Sequence, residues 1–376
     1  MRLGAASAIV LLNGCAAATV GGRAGYEMVS TAGIGVVPSI NVAPVLASGI
    51  RSGSSTGSMT YAPRLSLEAR DGGASRLYQQ LGLSWQRTSR SAMAPYAELA
   101  GGIGRTRALD VLPPEDAVIQ PRPDVATLNS YAFSTEVGIR GPTSARSSAG
   151  FALLAQQSGG IGSDAGALPP SSQFGVVATA RRGVTRRTLT GLDGSLRQVA
   201  FSGLPATTVL DLAAMMSRDL SHRTSIGFSA GTGIARSAPS LFPVAITALP
   251  ALGASISYAT TGVTLQARAG LVPGIDRLDG QFQQRVAVMI AATTDAIPRT
   301  MLSGSLRLAS DLGTDPAQRQ RIGIGVLSAR VRITNTMTTD AGISAYVQPG
   351  TGPTAAPTEI RFFLGWSILA PAPRGA

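Results

Sequence analysis

The feature that most constrains this chain is an alternation of period two that recurs over stretches longer than a globular strand. In "TEIRFFLGWSIL", Ile360, Phe362, Leu364, Trp366 and Ile368 alternate with Glu359, Arg361, Phe363, Gly365 and Ser367. A helix would space its apolar residues by three and four, so this pattern is a strand with one apolar and one mostly polar face. The alternation returns in "RLSLEA", "LYQQLGLSW", "YAFSTEVGI", "FGVVATA", "IGFSAGTGI", "VTLQARAGL", "FQQRVAVMI" and "SLRLAS". With its flanks each run reaches about nine to twelve residues. Globular strands have about five or six, and a tilted membrane-crossing strand needs about nine to eleven. The pattern predicts an all-β chain, a transmembrane antiparallel up-and-down β-barrel.

An outer-membrane barrel alternates short periplasmic turns with longer extracellular loops. Reading backward from the last strand, "QPGTGPTAAPT" is long and "TNTMTTD" short; "DLGTDPAQRQ" is long and "DAIPRT" short. "VPGIDRLDGQ" and "TTG", then "RSAPSLFPVAITALP" and "DLSHRT", continue the order. Farther back, parity holds if "RQVAFSGL" is a strand of its own, paired across "LPA" with "TTVLDLAAMMSR". That leaves "RRGVTRRTLTGLDGS" as a long inner connection, against the length rule. Counting from Met59 gives about sixteen strands, and "VVPSINVAPVL" adds up to two, for a range of sixteen to eighteen.

In hydrocarbon every backbone N–H and C=O needs a partner, which a closed sheet supplies. A barrel of this size is too wide for side chains to fill, so the apolar phase faces lipid and the polar phase a lumen. The lumen-lining candidates on this register are Arg64, Glu68, Arg70, Glu98, Glu136, Arg140, Arg181, Asp211, Arg268, Arg285, Arg307, Arg332, Glu359 and Arg361. An arginine on the lipid face at the midplane would cost about 2–4 kcal/mol, which favours the same placement. Arginine outnumbers carboxylate in this set, so a lumen that mildly favours anions is expected. Tyr61, Trp85, Tyr258 and Trp366 fall on the lipid phase near the periplasmic ends, and Tyr131, Phe133, Phe174 and Phe282 near the outer ends. They form two thin girdles.

Composition narrows the alternatives. Charged residues make up 14% of the 376-residue chain, yet no stretch approaches the roughly eighteen apolar residues of a spanning helix. A soluble β-sandwich would bury the same apolar phase, but strand length, loop alternation and an aromatic content of 5% argue against it. The net charge of +12 comes from scattered arginines, with no lysine and no long basic run, which argues against a nucleic-acid partner.

The opening "MRLGAASAIVLLNGCAAATVGG" has one arginine, a short apolar core and then small residues, the layout of an export signal over residues 1–24. Leu12, Gly14 and Cys15 resemble the lipobox of bacterial lipoproteins, which makes Cys15 a candidate lipidation site; Asn13 departs from that pattern. The competing reading is cleavage after Ala18 or Ala24. Residues 25–58 are then a periplasmic leader or an extra strand pair, 59–369 the barrel and 370–376 a periplasmic tail. Cys15 is the one cysteine, so no disulfide framework or thiolate metal site is expected.

"GSSTG" and "GFSAG" match the G-x-S-x-G nucleophile pattern, which has meaning only between a buried strand and a helix. Ser55 falls in a Ser/Gly linker and Ser229 in mid-strand. The sole histidine, His222, lies seven residues before Ser229 on the same arm, about 23 Å away at about 3.3 Å per residue. It cannot serve Ser229 as a base, and a lone histidine offers no metal geometry. The reading is no enzyme, no cofactor and no metal.

"YAPRLSLEARDGG", "LVPGIDRLDGQFQQR" and "RDLSHRTSIGFSAG" resemble segments of Gram-negative outer-membrane β-barrel proteins, the uncharacterised barrels of high-GC genomes. The resemblance covers about Met59 to Leu369 and brings no catalytic residues. It implies residence in the bacterial outer membrane, with membrane lipid, lipopolysaccharide and the barrel insertion machinery as partners. Such barrels often end on an aromatic residue, whereas here the last strand is followed by "APAPRGA". A wide lumen with surplus arginine points to a passive channel for small solutes; the alternative is a non-conducting envelope or adhesion scaffold working through its loops or N-terminal leader.

Overall fold

The computed structural model describes residues 15–31, 35–68, 75–87, 93–106, 127–166, 168–237, 246–275, 281–312, 321–347 and 358–370. Its strands are β1 (Cys15–Thr31), β2 (Gly35–Ser52), β3 (Ser55–Tyr61 with Arg64–Glu68), β4 (Arg76–Arg87), β5 (Ala94–Thr106) and β6 (Leu128–Ser144). Then come β7 (Ser147–Gly160), β8 (Ser171–Gly183), β9 (Thr188–Phe201), β10 (Thr207–Asp219), β11 (Thr224–Ser237) and β12 (Ile246–Thr260). The last are β13 (Val263–Ile275), β14 (Phe282–Ile297), β15 (Thr300–Asp311), β16 (Arg321–Arg332), β17 (Met337–Val347) and β18 (Thr358–Ala370). Each pairs antiparallel with its neighbours in sequence. β1 also pairs with β18, from Val20↔Ala370 to Thr31↔Glu359, so the eighteen strands close without an edge.

The two halves of β3 flank Ala62-Pro63, where proline has no N–H to give the ladder. Ala62 donates its own N–H to the Gln80 carbonyl at 2.9 Å, and both halves pair with β2 and β4. Short turns such as 53–54, 145–146, 184–187, 220–223, 261–262, 298–299 and 333–336 lie at one end, which the length rule makes periplasmic. Thr106 and Leu128, which bound the longest connection, lie at the other.

Cross-strand partners share a face, so the register carries one inner phase around the whole barrel. The outer phase holds exposed Leu, Ile, Val and Phe on nearly every strand, Phe362, Leu364, Trp366 and Ile368 among them. In the regularly paired strands its charged residues are Arg87, Arg105, Arg182, Arg218, Arg236 and Arg321, each within one residue of a strand end. An arginine there reaches headgroups and escapes the cost of the midplane.

Three expectations need correction. The segment "TLTGLDGS" is no inner connection: β9 runs from Thr188 to Phe201, the turn before it is 184–187, and the apparent breach of the length rule vanishes. The segment reads as loop because Gly191 lies under an arginine. A Cβ at Gly191 would meet Arg181 Cδ at 2.7 Å, and that side chain crosses the glycine to reach Asp193. Tyr61 stands in mid-strand, since β3 starts at Ser55 and not at Met59. Phe282 faces inward, for the reason given next.

The wall opens between β12 and β13 near its outer end. Their pairing stops at Leu252↔Leu271, while β12 stays with β11 up to Ile246↔Arg236 and β13 stays with β14 up to Ile275↔Phe282. The freed end of the β13–β14 hairpin leans into the barrel. A Cβ at Gly233, on the inner phase of β11, would sit 2.9 Å from Phe282 Cζ and from Pro273 Cβ. Gln284 Nε2 donates to the Pro250 carbonyl at 2.6 Å across the gap.

Residues 15–24, where the sequence reads as the end of an export signal, lie in β1. Residues 25–58, read as a leader or an extra strand pair, lie largely in β1, β2 and the start of β3. The outer phase of β1 includes Gly22 and Ala24, so its alternation is faint in the sequence. Residues 1–14 and 371–376, with the rest of the signal and the tail, fall outside the described residues.

Candidate functional site

The inner face is the candidate site. By register it carries Arg64, Glu68, Glu98, Glu136, Arg140, Arg181, Asp211, Arg268, Arg285, Arg307, Arg332, Glu359 and Arg361; Arg70 lies outside the described residues. It also carries Arg23, Glu27, Arg51, Arg76, Asp193, Arg197, Asp311, Arg330 and Asp340, which sequence reasoning left out. The same parity rule reaches them once the strands are given their full length.

Most of these charges are consumed in pairs. Arg285 Nε lies 2.7 Å from Asp311 Oδ1, Arg181 Nη2 2.7 Å from Asp193 Oδ1, Arg330 Nε 2.6 Å from Asp340 Oδ1, and Arg76 Nε 3.2 Å from Glu68 Oε1. Arg197 Nη2 reaches Asp211 Oδ2 at 2.5 Å, where Ser195 also donates at 3.0 Å. Across the closure of the barrel, Glu27 of β1 gathers several strands. Asn41 Nδ2 donates to it at 2.9 Å, Arg64 Nη2 lies at 3.5 Å and Arg361 Nη1 at 3.9 Å, while Arg361 Nε also binds Glu359. Glu27 is only 5% exposed, and a carboxylate so buried needs these partners.

A second cluster lies toward the turn end. Glu98 and Glu136 stand directly opposite each other on β5 and β6. Arg140 Nη2 is 3.7 Å from Glu98, its guanidinium lies 4.2 Å from the centroid of the Tyr96 ring, and the Tyr96 hydroxyl donates to Glu136. Arg140 thus offsets the repulsion between two like charges at facing positions.

Arg268 and Arg307 differ from the rest. Both are exposed on the inner face, aligned through Met289 in the register Arg268↔Met289↔Arg307, and neither has a carboxylate partner among the described residues. They line a cavity of about 1460 Å³ together with Arg197 and Arg285, with polar residues such as Gln80, Ser134 and Gln156 elsewhere on its wall. Arg23, Arg51 and Arg332 are also exposed inner-face arginines, toward the turn end, with no ion pair among the described residues. The chemistry on offer is fixed positive charge beside hydroxyl and amide dipoles in a water-accessible space.

Buried inner-face residues collect at the opposite end, with Val29, Ser66, Ser130, Val209, Ala235 and Tyr346 on six different strands. His222 is in the turn 220–223 and Ser229 in the middle of β11; the fold does not bring them together. Ser55 begins β3. Among the described residues no group of three or more His, Cys, Asp or Glu side chains could hold a metal ion.

No protein-family model and no curated protein matches the sequence. Solved structures do match the fold. OccK2 (OpdF) of Pseudomonas aeruginosa aligns over 96% of this chain and 98% of its own, with a TM-score of 0.54 and 13% identity. A BenF-like porin from Pseudomonas fluorescens Pf-5 aligns over 95% and 99%, with a TM-score of 0.52 and 11% identity. The FrpB iron transporter of Neisseria meningitidis aligns over 88% of this chain and 62% of its own, at 0.51 and 10%. The chain has the fold of a Gram-negative outer-membrane β-barrel, a closed antiparallel barrel of eighteen strands with an apolar exterior, and that membrane is its location.

Proposed function

We propose that the protein is a passive outer-membrane channel for small solutes whose lumen mildly favours anions. The observation that carries this reading is that, among the described residues, Arg268 and Arg307 on the cavity wall have no carboxylate partner, while nearly every inner carboxylate is matched by an arginine or a hydrogen bond. Fixed positive charge in a water-accessible lumen with low-dielectric walls concentrates anions, and salt weakens the effect over a Debye length of about 10 Å at 0.1 M. The fold likeness to a BenF-like porin supports a channel in the same coarse sense. No residue of the interior is assigned a catalytic role, and solutes pass without chemical change. Single-channel recording of the refolded protein in planar bilayers tests the reading: discrete conductance steps with an anion-biased reversal potential are expected. Silent bilayers would transfer the protein to the scaffold alternative.

A further inference from the structure

Three turns at the periplasmic end are built alike. In 184–187, 220–223 and 333–336 an exposed apolar residue, Val184, Leu220 or Ile333, donates its N–H to the carbonyl of Thr188, Thr224 or Met337 at 2.9 Å. The next residue, Thr185, Ser221 or Thr334, accepts through its hydroxyl oxygen from the N–H two positions on, at 3.1, 3.1 and 3.2 Å. The last two positions are Asn335-Thr336 in one turn but Arg186-Arg187 and His222-Arg223 in the others. The turn geometry therefore does not require the basic residues.

The two basic turns adjoin. Asp219 donates its N–H to the Arg187 carbonyl at 2.8 Å, and Gly183 donates to Arg146 of the preceding turn at 2.8 Å. Arg182 and Arg218 stand one residue from the ends of β8 and β10 on the outer phase. Together with Arg146, Arg186, Arg187 and Arg223 they make one sector of exposed arginines without an ion pair among the described residues. Asp219 is the single carboxylate in these segments. The turns 53–54 and 261–262 of the same rim carry no charge. Crowded cations repel one another unless an anionic surface meets them. Two of these arginines sit on the lipid side of the wall and the others stand beyond the strand ends. A phospholipid headgroup layer is what meets both sets at once.

We propose that this sector of the rim is a docking site for anionic phospholipid headgroups, held by arginine–phosphate pairs. It rests on the placement of the barrel in a membrane and is independent of conduction. The test grafts the neutral turn onto the basic ones: Arg186→Asn, Arg187→Thr, His222→Asn and Arg223→Thr, in the full chain folded into vesicles. The readout is the association of spin-labelled phosphatidylglycerol relative to spin-labelled phosphatidylcholine. One arginine at an anionic surface is worth about a fivefold preference, so the parent is expected to favour phosphatidylglycerol several-fold at low salt. The graft should lose most of that preference while still migrating as a heat-modifiable barrel. Arg182→Gln with Arg218→Gln, outside the turns, should lose part of it and decides the matter if the graft does not fold. Equal preference in parent and variants, or none in the parent, overturns the proposal. Arginine-dependent sedimentation with peptidoglycan without lipid preference overturns it as well, and gives the rim to the cell wall.

Discussion

Two residues beyond the last rung of the β12–β13 ladder, the register would set Pro250 directly opposite Pro273. Neither has an N–H to donate, so the ladder cannot continue through them, and the two strands part at that point. The freed hairpin end then rests on Gly233, where the missing side chain leaves room for Phe282 and Pro273. A wall defect and an inward projection thus have one cause.

This hairpin end narrows the interior, so loosening it should widen the conducting path. Phe282→Ala with Gln284→Ala removes the ring on Gly233 and the bond to the Pro250 carbonyl. Larger single-channel conductance is expected, with the folded band in SDS gels retained to the same temperature. Unchanged conductance would show that the ions do not pass this point.

Arg285 and Asp311 are a buried pair, with side chains 11% and 5% exposed. Breaking such a pair from one side leaves an uncompensated charge, at a cost of about 3–5 kcal/mol. Arg285→Gln or Asp311→Asn should therefore lower the temperature at which the folded band is lost, and the two changes together should recover much of the loss. Additive losses in the double variant would remove the coupling.

Arg268 and Arg307 should behave in the opposite way, since no carboxylate among the described residues depends on them. Arg268→Gln with Arg307→Gln is expected to lower the ratio of anion to cation permeability by about half while heat stability stays unchanged, an effect that shrinks as salt rises. The neutral pair Arg285→Gln with Asp311→Asn should leave the ratio nearly as it was. Reversal potentials that ignore the first double variant would take these arginines out of the pathway.

Glycine positions under aromatic rings separate the two faces of the wall. A Cβ at Gly342 would meet the Leu327 carbonyl at 2.4 Å and Phe363 Cζ at 2.5 Å, so Gly342→Val must move backbone and should cost about 1–3 kcal/mol. At Gly101 the obstacle is the Phe133 ring alone, on the exposed outer face, and the ring can swing into lipid. Gly101→Val should be milder by the same gel measurement.

The partial lipobox around Cys15 leads to a separate expectation. Cys15→Ser should abolish fatty-acid labelling and leave a slowly processed precursor, whereas normal processing of that variant would favour simple signal cleavage.

The barrel class and the strand range followed from alternation, because each face of a membrane strand has one solvent and the period is strict. What misled was local. Gly191 and Asp193 made β9 resemble a loop because an arginine needed space to cross, and the small residues of β1 left its lipid face without contrast. Parity assigns a side chain to a face but is silent about its partner on the next strand. The division between paired Arg285 and unpaired Arg268 therefore needed the register. The inward turn of Phe282 needed more, since it depends on where a ladder fails and not on the residue itself.

Glu27 ties the first strand to the last through Arg361 and to the third through Arg64, in a chain whose ends meet only when the sheet is shut. A closure shifted by one residue would turn Glu359 and Arg361 toward hydrocarbon and leave Glu27 with only Asn41 and Arg64 of its partners, so errors at the final seam carry a steep electrostatic cost. The joint proofreads its own alignment. A barrel that mispairs its ends would be held open and exposed to proteolysis until the correct rungs are found.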